Sequence, residues 1–239
     1  MNHNRGFYIT RHKPAAPVYS KKGLGFIAIV VVLSNFFTYS FTRNDSPDGM
    51  GLNSILNSPA PSLYLMDKAS AHIYDIPGFE TKVKHVAQTL DVPPEWLMAV
   101  MYSESKLNPS AVNHKGSGAT GLIQFMVNTV KDLNRKLGTQ LYMSDIRNMD
   151  AVTQMDLVYT YLQNVKDKYG EFNTITDLYL AVLYPRAVGQ DYCYTLYAKP
   201  SQKYRMNSGL DENKDGRVTK SDIDHRMSRL YPTAYQVQK

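Results

Sequence analysis

The chain has 239 residues, enough for one good-sized core with appendages or two small domains. Residues 1–50 hold six Lys/Arg against two Asp/Glu, so +4 of the net +6 sits there; the rest hold 21 against 19, which leaves no basic stripe for a nucleic-acid groove and excludes nucleic acid as a partner. The one cysteine, Cys193, cannot form an intramolecular disulfide, so packing or a metal must do the stabilising outside a reducing compartment, and it reads as a small buried hydrophobe.

In chain order, residues 1–22 form a basic tail containing Arg5, Arg11, Lys13, Lys21 and Lys22. Residues 23–42 carry no formal charge and span roughly 30 Å at helical rise, enough to cross a bilayer. The run from Phe26 to Leu33 is apolar all round, unlike an amphipathic core helix. No small-residue cleavage site follows it, and the basic lead is long for a signal peptide. The segment is expected to be a retained transmembrane anchor. The positive-inside bias puts the tail in the cytoplasm and everything after residue 43 on the extracytoplasmic, periplasmic side of a single-pass membrane protein. Residues 43–69, rich in Asn, Ser, Pro and Gly, read as a linker.

A folded domain is expected over 70–200. Phe79, Val83, Val86, Ala87 and Leu90 recur on one helical face. Pro93-Pro94 opens a second helix running to about Ser105. A Gly-rich loop occupies 113–121, and helical patterns follow at about 127–137, 150–168 and 174–184, the last stopped by Pro185. No strand alternation stands out, so the fold class is mainly α. The 18 tyrosines against a single Trp suit a half-buried core, or a surface meeting hydroxyl-rich ligands.

In the second helix Leu97, Val100, Met101 and Glu104 lie at i, i+3, i+4 and i+7. That spacing puts Glu104 on the apolar stripe at the carboxyl end. An apolar setting raises a carboxyl pKa, which is what a general acid working near neutral pH requires. A helix-end Glu bending to solvent is the alternative.

The residues that follow narrow this choice. Glu104-Ser105, Asn108-Pro109, Gly118-Ala119 and Gly121-Leu122-Ile123-Gln124-Phe125-Met126 succeed one another, and later come Tyr169-Gly170 and Leu180-Ala181-Val182-Leu183-Tyr184. This order resembles the lytic transglycosylase family, in its soluble-lytic-murein-transglycosylase branch, over roughly residues 77–189. The resemblance implies a lysozyme-like transglycosylase domain that cleaves peptidoglycan glycan strands. By position, Glu104 matches the catalytic acid/base, Gln124 and Met126 match residues lining the glycan groove, and Tyr184 matches the tyrosine near the catalytic carboxyl. Asn113 falls near a substrate-holding serine of the family, two residues out of step. Ile123 replaces a Met, Val127 stands where Pro is usual, and Tyr184-Pro185-Arg186-Ala187 replaces Tyr-Asn-Ala-Gly.

Glycosidases ordinarily use two carboxyl groups. No other Asp or Glu lies between Glu104 and Asp132. The resemblance implies a one-carboxylate route in which the sugar's own 6-hydroxyl attacks the anomeric carbon, giving 1,6-anhydro-MurNAc ends. A lysozyme-type hydrolase is the nearest competitor. A glycan-binding assembly component of a secretion machine or phage virion is the next, and a carbohydrate- or calcium-dependent adhesion module the last. The long basic lead and the Tyr-Pro-Arg-Ala segment favour a phage or mobile-element setting, in which the anchor would sit in a virion membrane.

The C-terminal segment, 201–239, contains Asp211, Asn213 and Asp215 at positions 1, 3 and 5 of a twelve-residue loop. Gly216 stands at 6, the Arg217 carbonyl at 7 and Asp222 at 12. This is the EF-hand calcium spacing, with Asp in place of the usual bidentate Glu. Ser208-Gly209 interrupts any entering helix. A structural calcium ion is expected, and a solvated turn is the alternative.

Overall fold

The computed structural model describes residues 62–114 and 116–239. The basic tail, the anchor expected at 23–42 and most of the linker lie outside the described residues. Among the described residues no helix is long and apolar enough to cross a membrane.

The described chain is mainly helical, in agreement with its periodicity. It runs α1 (Met66–Ala69), α2 (Ile76–Leu90), α3 (Pro94–Ser105), α4 (Val127–Leu137), α5 (Met143–Asn148), α6 (Ala151–Tyr169) and α7 (Ile175–Leu183). After a 3-10 turn at Pro185–Ala187 come β1 (Thr195–Ala198) and α8 (Gln202–Asn207), then β2 (Arg217–Thr219), α9 (Lys220–Leu230) and α10 (Pro232–Gln236). The last residues read as linker already belong to the core, for Leu63, Met66 and Ala69 are buried.

Helix α2 starts where Asp75 accepts a hydrogen bond from the Gly78 amide at 2.9 Å, with Pro77 in the first turn. Its buried face comprises Phe79, Val83, Val86, Ala87 and Leu90, the stripe legible in the sequence. Helix α3 differs from its reading as one stripe. Every residue from Trp96 to Met101 is buried, because α2, α7 and α10 all pack around it. A helix enclosed this way needs no polar face until its last turn. There Lys106 and Leu107 both adopt left-handed backbone, φ 59° and 60°, and turn the chain away from the helix axis.

Two short antiparallel strands lie beyond the helices, pairing Thr195 with Thr219, Tyr197 with Val218 and Ala198 with Arg217. The mainly α expectation contained no strand. Segments this short, one of them kinked by an irregularity between Thr195 and Tyr197, are below the length at which alternation can be seen. Cys193, expected to be buried, is exposed.

The C-terminal segment is fastened to α7 by buried polar contacts. Lys220 Nζ lies 2.7 Å from Asp177 Oδ1 and also donates to the Gln190 carbonyl, with both ionic side chains almost wholly buried. The Thr176 hydroxyl donates to Asp224 at 2.7 Å. Tyr204, Val218, Ile223, Met227, Tyr231 and Ala234 share one apolar core with the earlier helices.

Candidate active site

Glu104 sits in the last turn of α3, half-buried. Burial pushes its carboxyl from an ordinary 4.5 up to about 7, with nearby Lys106 pulling the other way. Two tyrosines border it electrostatically. Tyr161 on α6 is pushed up to about 12 by burial, then by Tyr169 and Glu104. Tyr179 on α7 is pushed up to about 12 by burial, then by Glu104. The Tyr161 hydroxyl donates to the Ala181 carbonyl at 2.8 Å, and its ring meets Phe125 edge-on at 6.4 Å. A carboxyl held in such surroundings is protonated for about half the time at neutral pH, and can give up a proton and take one back.

Ser105, next in the chain, is buried, and its hydroxyl reaches the Met101 carbonyl at 3.0 Å and the Leu122 carbonyl at 2.9 Å. It therefore ties the end of α3 to the Gly121–Met126 segment. That segment is held from the other side by Gln154 of α6, which is fully buried. Gln154 Oε1 accepts from the Leu122 amide at 2.9 Å, and Nε2 donates to the Pro109 and Ile146 carbonyls at 2.7 and 2.8 Å. Gly121 has φ +86°, and a Cβ there would stand 2.6 Å from Gln154 Oε1, so the glycine is required by both backbone and space. Gln154 was not singled out from the sequence. Its signal was available, for it falls in register with Ala151, Met155, Val158, Leu162 and Val165 on the buried face of α6.

The remaining expected residues are distributed as follows. Gln124 has left-handed backbone, φ 53°, and its Nε2 donates to the Gly121 carbonyl at 3.1 Å. Met126 is exposed at the N-cap of α4. Asn113 is exposed on the glycine loop, where its amide donates to the Ala119 carbonyl at 2.8 Å. The loop is further pinned by Thr120 and Phe125, whose backbones exchange two hydrogen bonds. Tyr184 caps α7, half-buried, its ring edge-on to Tyr197 at 5.6 Å. It lines an open cleft of about 320 Å³ with Tyr169, Leu183, Pro185, Arg186 and Lys203. A wider cleft of about 550 Å³, between α4 and residues 139–142, contains none of the expected site residues.

In the C-terminal loop, Asp211 Oδ2 accepts from the Tyr204 hydroxyl at 2.7 Å and from the Gly216 amide at 3.0 Å. Its Oδ1 is buried without a hydrogen-bond partner. Gly216 has φ +90°, Asn213 Oδ1 accepts from the Asp215 amide, and Asp215 Oδ1 from the Arg217 amide. A short helix, α8, precedes the loop and α9 leaves it; α8 stops at Asn207, and Ser208–Leu210 form a 3-10 turn between it and the loop, as the interruption expected at Ser208-Gly209 implies. Asp222 is already engaged: Oδ2 accepts from the Thr219 amide and hydroxyl, closing the capping box of α9, and Oδ1 accepts from the Glu212 amide. Among the described residues no three Asp, Glu, His or Cys side chains already converge on one point. The orphaned Asp211 oxygen fits a cation; Asp222 fits one only if it gives up one of these hydrogen bonds.

Residues 82–184 match the family model described as the transglycosylase SLT domain, somewhat less than half of the chain. The matched stretch runs from within α2 to Tyr184 and includes Glu104, the glycine loop and Gln154. It supports the lytic transglycosylase family, and with the mainly helical architecture it is consistent with a lysozyme-like, peptidoglycan-directed domain. No curated protein matches the chain.

Proposed function

We propose that the protein is a peptidoglycan lytic transglycosylase in which Glu104 is the only catalytic carboxyl. Protonated Glu104 donates to the oxygen linking MurNAc C1 to the next GlcNAc, and the C1–O bond breaks. The resulting carboxylate then takes the proton from the MurNAc 6-hydroxyl as O6 bonds to C1. The product is a 1,6-anhydro-MurNAc end, and no water is consumed. The observation that carries this reading is a carboxyl raised to about 7 by burial at the motif position, against the opposing pull of Lys106. A two-carboxylate hydrolase would want a second acid facing the same bond. Gln124, Met126, Asn113 and Tyr184 are assigned to the glycan groove.

Digestion of purified peptidoglycan, with Glu104→Gln as control, tests the assignment by mass spectrometry. Anhydro-muropeptides from the wild type alone support it. Products carrying an added water indicate a lysozyme-type hydrolase, and binding without products indicates an assembly component of a secretion machine or virion.

We further propose that residues 23–42 anchor this domain outside the cytoplasm, next to its polymer. Protease protection of the domain in intact cells, with accessibility after outer-layer permeabilisation, is the test. The C-terminal loop is proposed to bind a structural calcium ion through Asp211, Asn213, Asp215, the Arg217 carbonyl and Asp222. The unpartnered Asp211 oxygen supports this.

A further inference from the structure

Glu104 stands in the last turn of α3, and the helix stops one residue later, where Lys106 and Leu107 leave its axis. The end of a helix frays unless side chains hold it. Ser105 supplies one hold, through the Leu122 carbonyl. A second comes from far along the chain. Tyr231, at the corner between α9 and α10, is buried, and its ring meets Tyr102 edge-on at 6.4 Å. The face of the Tyr102 ring also carries the Lys106 ammonium, 4.4 Å from its centre. Ser103 lies between Tyr102 and Glu104 in sequence and hydrogen-bonds with the hydroxyls of Tyr231 and of Tyr179 on α7; burial raises both phenols, and Ser103 draws each back. Both residues immediately ahead of Glu104 are therefore held by Tyr231. Tyr231 is itself fixed, for its amide donates to the Met227 carbonyl and its carbonyl accepts from the Tyr235 amide, each at 2.9 Å. Pro232 opens α10, which packs on α3, while α9 is tied to α7 through Lys220 and Asp224.

From this arrangement we infer that Tyr231 is a positioning residue: packed against Tyr102 and reaching Ser103, it holds the last turn of α3 and with it the Glu104 carboxyl in its working place. The inference rests on the assignment of Glu104 as the acid that cleaves the glycan. Tyr231 lies outside the family-matched stretch, 82–184, so this brace is supplied by the chain's own C-terminal segment. At 5% exposure Tyr231 has no surface to offer a glycan strand, and its effect runs through Tyr102 and Ser103. A carboxyl that hands its proton to a glycosidic oxygen must come within hydrogen-bonding distance of it. A small displacement of that carboxyl costs rate and leaves binding alone.

The full-length protein is compared as wild type, Tyr231→Leu and Tyr231→Phe, at a temperature where circular dichroism shows each fully folded. Leu keeps the site apolar and removes both contacts; Phe keeps the ring against Tyr102 and removes only the hydroxyl. On soluble glycan strands Tyr231→Leu should lower kcat about tenfold with KM nearly unchanged, the cost of a misplaced acid. Tyr231→Phe should recover most of that rate. A residue that only fills the core would lower Tm and leave kcat of the folded protein alone. A second readout needs no turnover: the Glu104 carboxyl is titrated by NMR, its signal assigned by its loss in Glu104→Gln. Its midpoint, about 7 in the wild type, should fall toward 4.5 in Tyr231→Leu as water reaches the loosened helix end. An unchanged kcat or an unchanged midpoint in Tyr231→Leu overturns the inference. If the wild type cleaves glycan and neither quantity responds, the enzyme assignment stands and this inference falls. If the midpoint falls but the wild type cleaves nothing, the enzyme assignment falls while Tyr231 still holds the carboxyl.

Discussion

Replacing Glu104 by Gln removes a charge that folding has to tolerate, so the variant should be the more stable protein wherever that charge exists. The carboxyl titrates at about 7 in the folded chain, against an ordinary 4.5. Between those values the native state holds more protons than the unfolded one, and wild-type stability falls as pH rises, by about 1.4 kcal/mol per pH unit. Below 4.5 both states are protonated and the effect vanishes. Above 7 it is complete, about 3 kcal/mol, and a neutral amide of the same shape escapes it. All other titrations are common to the two proteins and cancel in the difference. Urea unfolding of both at about pH 4, 6 and 8 should give a gap that is small at the acid end, opens through the middle, and reaches about 3 kcal/mol in favour of the variant at the alkaline end. A gap of constant size across that range would refute the argument that burial raises this carboxyl, whatever the variant does to activity.

Three further outcomes are expected. Gln154→Leu strands the Leu122 amide and the Pro109 and Ile146 carbonyls in a buried site, and should cost about 3 kcal/mol, read as a fall in Tm of roughly 10 °C, with cleavage reduced as the glycine loop loosens. Lys106→Asn, which keeps a residue tolerant of left-handed backbone, removes the charge that lowers the Glu104 pKa; the alkaline limb of the pH–activity profile should move upward, and no movement or a downward one counts against the electrostatic assignment. Calcium at about a hundred times its Kd should stabilise the wild type by about 2.7 kcal/mol, and Asp211→Asn should abolish the rise in Tm.

The helices were legible for different reasons: α2, α4 and α6 show a period, while α7 is an apolar run stopped by Pro185. Val127–Leu137 coincides with its expectation, and α6 and α7 are displaced by a residue at most at either end. Helix α3 was readable as a helix but not as the centre of the molecule, since apolar residues on every side look the same as a wide stripe until the neighbours are known. Helix α9 gave no apolar signal because its buried face includes Lys220, Asp222 and Asp224 alongside Ile223 and Met227. Those charges are buried only because α7 and the loop supply partners, a fact of tertiary structure that no window along the chain contains. Gln154 was visible as a polar residue in register on an apolar face, but its partners were not. Its value lies in three distant backbone groups. Glu104, by contrast, stood out through its register and its neighbours in sequence, and its raised pKa follows from that placement.

The ion pair between Lys220 and Asp177 bears on how this domain could be transplanted. The recognisable stretch ends at Tyr184, and a designer or a recombining genome would be tempted to cut there. Doing so would take the Lys220 ammonium and the Gly189 amide from Asp177 in α7, leaving only Asn173 and Thr174 to hold its carboxylate, and would strip Thr176 of its acceptor on Asp224. The cut would also uncover the apolar face on which Ile223, Met227 and Tyr231 share the core, a loss on the scale of what holds a domain of this size together. The tail of the chain is thus a keystone for the arch ahead of it, and shuffling of this scaffold should preserve residues 185–239 as one piece with the helices they lock.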